Sequence, residues 1–148
     1  MKKNSLLYSI LLSFMLGFGI SVSAQNTATM NVYVEGGTSQ KGQVFLSLFT
    51  SEADFLETPV LTISKEVDVE GKVLFQLHDL KMQPYAVSVF YDVNNNSELD
   101  TGFLGIPKEK VGFSNNAKGR FGPPKFKDVV FKLLETQDIF IYLGNAKD

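Results

Sequence analysis

The chain is 148 residues long, contains no cysteine, and carries 14 basic against 16 acidic residues for a net charge of −2. Without cysteine there is no disulfide, no thiolate metal site and no thiol nucleophile, so stability must come from the core, with help from an ion if one binds. The slight negative charge favours solubility and says nothing general about nucleic acid or membranes; no nucleic-acid partner is expected.

Lys2 and Lys3 precede an apolar run from Leu6 to Val22, and Val22, Ser23 and Ala24 supply small residues after it. A charged start, an apolar middle and a small-residue site are the parts of a signal peptide, expected to be cut after Ala24. The rival reading is a retained anchor, but Tyr8, Ser9, Ser13, Gly17 and Gly19 dilute the run. The expectation is an exported protein, periplasmic or secreted, with no stable membrane span after cleavage. Residues 25–148 then form one domain, whose 12 basic and 16 acidic residues give it a charge of −4.

The mature chain alternates with the period of two that marks strands with one buried face. Met30, Val32 and Val34 alternate with Asn31, Tyr33 and Glu35 before Gly36-Gly37. Gly42–Thr50 is apolar on both faces and belongs centrally, whereas Pro59–Val67 is more polar and suits an edge. Val73, Phe75 and Leu77 form a fourth run, and Tyr85, Val87, Val89 and Tyr91 a fifth. Val129–Leu133 and Ile139–Leu143 complete about seven strands; Ser51–Glu57 alone looks helical. The fold class is all-β, an Ig-like or transthyretin-like sandwich. Val93–Lys127 lacks a clear strand, yet it holds Phe103, Leu104, Ile106, Val111, Phe113, Phe121 and Phe126. That is more apolar anchoring than a flexible linker needs, so one long ordered Ω-type loop is expected.

The loop opens with "DVNNNSELD", in which Asp92, Asn94, Asn96, Glu98 and Asp100 bear oxygen at alternate positions. Two readings stand side by side. Asp, Asn and Asn at the first, third and fifth places match a calcium loop, with a backbone carbonyl from Glu98 and the Asp100 carboxylate to follow. Asn and Asp also populate turns that need no metal. Ser97 stands where a helical calcium hand has its sharp-turn glycine, and Phe103 where it has its bidentate glutamate. Calcium is the metal the first reading expects.

Farther along, Lys108, Lys110, Lys118, Arg120, Lys125 and Lys127 face one acid, Glu109, a local charge of +5. Arg120, the only arginine, has a planar fork suited to carboxylate or phosphate. With Phe113, Asn115, Asn116, Lys118 and Phe121 it forms a candidate surface for an anionic or sugar-like group, and envelope glycan or an envelope protein is the expected partner. The rival reading is a solvated loop. His78 is the sole histidine and no G-x-S-x-G motif occurs, so no catalytic residue is assigned. Asp92 and Asp100 leave a carboxylate-based hydrolase as a lesser alternative to a binding module or a purely structural accessory protein.

The segments "FYDVNNNSELDTGFL" and "GIPKEKVGFSNNAKGRFGPPKFKDVVF" resemble the domain-of-unknown-function 2141 family of bacterial exported proteins. The likeness extends over the mature chain and is strongest from Tyr85 to Phe131. It implies glycine at the places of Asn95 and Ser97, an exported single domain and a long loop that matters, and it implies no activity.

Overall fold

A computed structural model describes residues 26–38 and 41–146. The segment expected to be a signal peptide, 1–24, lies outside the described residues. Eight strands run in the described chain: β1 (Thr27–Glu35), β2 (Gln43–Phe49), β3 (Leu61–Glu66), β4 (Val73–Lys81), β5 (Pro84–Asp92), β6 (Val111–Phe113), β7 (Phe131–Lys132) and β8 (Gln137–Tyr142). One sheet has the order β4-β1-β8, with β1 antiparallel to β4 and parallel to β8. The second has the order β3-β2-β5-β6, and β7 pairs with the start of β5. The all-β sandwich expected from the alternation is what the chain forms, with β2 central and β3 at an edge.

The core lies between the sheets. Met30, Val32 and Val34 of β1 and Val73, Phe75 and Leu77 of β4 meet Val44, Leu46 and Leu48 of β2 and Val87, Val89 and Tyr91 of β5. Burying each such side chain contributes about 1.5–3 kcal/mol. Tyr91 also donates its hydroxyl to the Lys41 carbonyl, which anchors the chain entering β2.

Three expectations are corrected. Ser51–Glu57 forms turns rather than a helix, its Ser51 hydroxyl bonded to Asp54 at 2.6 Å. The run from Val129 is not one strand: α1 (Phe126–Val129) is a single helical turn and β7 contributes two residues after it. The long excursion is also interrupted by a strand, β6, which pairs with Ser88–Phe90 of β5. Three residues centred on Gly112 carry too little pattern to be read as a strand, and the glycine itself is dictated by space. A Cβ there would stand 2.6 Å from Ile141 and 3.0 Å from Val89, so β6 can wedge between β5 and β8 only without a side chain. At that seam Val111 and Gly144 exchange backbone hydrogen bonds at 2.9 Å, joining the two sheets.

Candidate functional site

The register of β2 on β5 defines two ends of the sandwich, because Gln43 lies opposite Asp92 and Phe49 opposite Ala86. β6 carries the excursion from the first end toward the second. Val93–Lys110 therefore closes the Asp92 end. The following stretch, which leaves from Ala117 and returns at Phe126, starts and finishes on the cluster around Phe49, Ala86 and Val129. The two candidate sets thus lie at different ends: the oxygens of Asp92–Asp100 at the first, with Lys108 and Lys110 beside them, and the Phe113–Phe121 set at the second.

At the first end Asp92 is on the outer face of β5 by alternation, yet it is fully buried because the loop folds back over it. Its Oδ1 accepts the Asn96 N–H at 3.2 Å, and its Oδ2 accepts the Ser97 N–H at 2.9 Å and the Gln43 amide at 3.4 Å. Asn94 Oδ1 accepts the Asn96 N–H at 3.1 Å and Asn96 Oδ1 the Glu98 N–H at 2.9 Å. Alternate oxygens turned inward onto successive N–H groups curl the backbone, and Asn95 and Ser97 take positive φ of 59° and 65° to complete the curl. These are the two positions where the resemblance implies glycine. Asn tolerates that conformation through local hydrogen bonding, whereas Ser takes it at a cost.

Asp100 receives the amides of Asn94 at 2.8 Å and Asn96 at 3.3 Å on its two carboxylate oxygens. Glu98 is exposed and contributes its backbone to the ladder. Glu109, which the motif reading passed over, fastens the loop from the far side. It is buried, with Oε1 accepting the Val93 N–H and Oε2 the Asp100 N–H, both at 3.1 Å. Its signal in the sequence is that it is the only acid among six cations, a place where a carboxylate survives because backbone donors hold it. A cleft of about 340 Å³ opens beside the loop, lined in part by Tyr91, Asn94, Asp100, Lys108, Glu109 and Lys110. Among the described residues no three carboxylate or imidazole groups stand together as a metal cluster; the oxygens gathered here are a mixture of carboxylates and amides.

The second candidate set is divided in its employment. Phe113 packs against the Phe49 cluster. Asn115 donates its amide to the carbonyls of Asp128 at 3.1 Å and Val130 at 3.2 Å. Asn116 acts as a substitute strand for β8, donating to the Phe140 carbonyl at 3.1 Å and accepting the Tyr142 N–H at 3.0 Å. Both asparagines have positive φ. Lys118 is exposed. Arg120 and Phe121 project together, the guanidinium 6.0 Å from the ring centroid and the Phe121 side chain 98% exposed. None of these six lines the cleft at the other end. Ser114, absent from the sequence reading, ties the segment down: its buried hydroxyl accepts the Val87 N–H at 3.0 Å and donates to the Val129 carbonyl at 2.6 Å. His78 lies on the exposed face of β4 beside the Thr29 hydroxyl at 3.3 Å.

The fold and site define a class: a small two-sheet sandwich whose long β5–β7 excursion is closed by side-chain oxygens on backbone N–H groups. The chain belongs to a family described as an uncharacterized protein conserved in bacteria, DUF2141, which matches residues 32–140. No curated protein and no solved structure matches it.

Proposed function

We propose that the protein is an exported interaction module of the bacterial envelope, periplasmic or secreted, whose Asp92–Glu109 loop closes around a structural calcium ion. The observation that carries this reading is the inward ladder of Asp92, Asn94 and Asn96 with Ser97 in a left-handed turn, the curl by which calcium loops present alternate oxygens. An oxygen that accepts one N–H keeps a further lone pair for a cation. Asp92, Asn94, Asn96, the Glu98 carbonyl and Asp100 are the donors, and Glu109 braces the loop through the Val93 and Asp100 N–H groups. Calcium suits such a set because it accepts six to eight oxygens in flexible geometry.

The sandwich is then the rigid scaffold and the loops its working surfaces. Arg120 and Phe121 are the contact offered to envelope glycan or an envelope protein, since a guanidinium and an exposed ring recognise anionic and sugar-like groups respectively.

Millimolar calcium is expected to raise the melting temperature of the mature protein, with reversal by chelator. The rise should vanish in Asp100→Asn, which keeps the shape and most acceptors but removes the charge. Superimposable melting curves with and without calcium reject the cation. For the contact, Arg120→Ala and Phe121→Ala should remove binding on a glycan array or to an envelope extract at unchanged melting temperature; a fall in stability instead would favour a structural plug.

A further inference from the structure

The long excursion lies over the outer face of the β3-β2-β5-β6 sheet, whereas among the described residues no element forms a second layer on the outer face of β4-β1-β8. The register of that face is straight. Leu74, Tyr33 and Phe140 stand side by side across its three strands, and Gln76, Asn31 and Asp138 do so two residues away. An apolar row and a polar row therefore run parallel, about 7 Å apart along the strands.

Tyr33 and Phe140 are stacked, with centroids 4.9 Å apart and planes at 13°. A cross-strand pair of this kind supports the sheet by itself. It does not account for Tyr142, which lies opposite Glu35 on the same face and is 59% exposed, nor for the 51% exposure of Phe140. β8 is the last strand of its sheet, so Phe140 turns one ring face to Tyr33 and leaves the other toward solvent. Two large rings thus follow each other along an edge strand, where charge or proline is the common choice. The polar row is held in line as well: the Gln76 amide donates to Asn31 Oδ1 at 3.4 Å and the Asn31 amide to Asp138 Oδ1 at 2.8 Å. Asp138 Oδ2 meets no partner among the described residues.

These groups select a ligand. A hexose has a C–H face that lies against an aromatic ring and a rim of hydroxyls that both donate and accept, and amides with a carboxylate one row away meet that rim. An apolar protein surface would desolvate the same amides and carboxylate without giving them partners, a cost that works against the ring contacts. An anionic ligand would meet Asp138 and Glu35, while Lys72, the cation beside Glu35, is paired with Glu70 at 2.9 Å. The face is net negative, and an uncharged polyhydroxyl chain is the ligand it does not repel.

We infer that the outer face of β4-β1-β8 is a binding platform for an uncharged sugar chain, with Phe140 and Tyr142 as the stacking rings and Asn31, Gln76 and Asp138 as the partners of its hydroxyls. This surface is separate from the Arg120–Phe121 contact and from the calcium loop, and rests on neither.

The mature protein, in chelator, is run through native gels containing hydroxyethyl cellulose, laminarin or mannan. Retardation by at least one of these neutral polymers is expected, with Phe140→Ala and Tyr142→Ala each raising the dissociation constant about tenfold, the order of a lost ring contact, and Asn31→Ala raising it less. The chain lacks tryptophan, so Tyr142→Trp keeps a ring and adds a single reporter. That variant should still bind, and its fluorescence should change with the polymer that retards the protein. Retardation by none of the three, or retardation undiminished when both rings are replaced by alanine, overturns the inference. So does Tyr142→Trp fluorescence unmoved by a retarding polymer, a result that does not depend on the alanine variants folding. Arg120 and Phe121 are kept in every variant and calcium is absent throughout, so failure here is distinct from failure of that contact or of the calcium-dependent melting shift.

Discussion

The two halves of the long excursion cover opposite ends of the same outer sheet face by different physics. Over Asp92 the lid is polar: one buried carboxylate, a second from Glu109 and two asparagines hold a backbone with almost no apolar contact of its own. Over Phe49 and Ala86 the lid is apolar, with Val129, Phe55 and Phe126 packed on them and rings meeting edge to face at 5.3 and 5.7 Å. There the polar groups are neutral, the Ser114 hydroxyl and the Asn115 and Asn116 amides bonded to main chain. A lid fastened by charge responds to ions, because each carboxylate can exchange an N–H donor for a cation. A lid fastened by burial and neutral amides does not.

The largest effect should break the polar lid. Asp92→Ala strands the Asn96 and Ser97 N–H groups and is expected to cost about 3 kcal/mol by urea denaturation. If calcium binds, that cost grows when calcium is added, and a cost independent of calcium would reduce the two lids to one kind. Ser114→Ala, at the seam of the apolar lid, leaves the buried Val87 N–H and Val129 carbonyl without their partner and should cost about 2 kcal/mol, equally with and without calcium. Asn116→Ala is expected to cost about 1 kcal/mol and to speed amide exchange at Tyr142, whose N–H it uncovers; unchanged exchange there would deny Asn116 its role as a substitute strand. Smallest is Ser97→Gly, a gain of about 0.5 kcal/mol, since relief of the left-handed turn outweighs the added freedom of the unfolded chain. A loss would mean that the Ser97 hydroxyl has a partner of its own.

Much of this was legible in the residues. Alternation at Met30–Val34, Val73–Leu77 and Tyr85–Tyr91 identifies inward faces because the strand period is fixed at two, and the sandwich follows from burying those faces against each other. The oxygen ladder was visible too, because its bonds run between residues two to five apart. Glu109 was not, since its partners are Val93 and Asp100, reached only when the loop brings the chain back. Asn115 and Asn116 suggested a binding surface for a similar reason: an amide looks the same whether it meets a ligand or a strand edge, and β8 lies more than twenty residues away.

By itself, then, the sequence determined what local chemistry can determine: which residues face inward, where the chain curls and which stretch departs from the strand pattern. Tertiary structure alone decided that β6 divides that stretch, that Asp92 is covered while Phe103 and Leu104 are not, and that the oxygen ladder and the Phe113–Phe121 set stand at opposite ends. The physical reason is that periodicity and turn propensity act over a few residues, whereas burial of a given group depends on which distant strand the chain passes next.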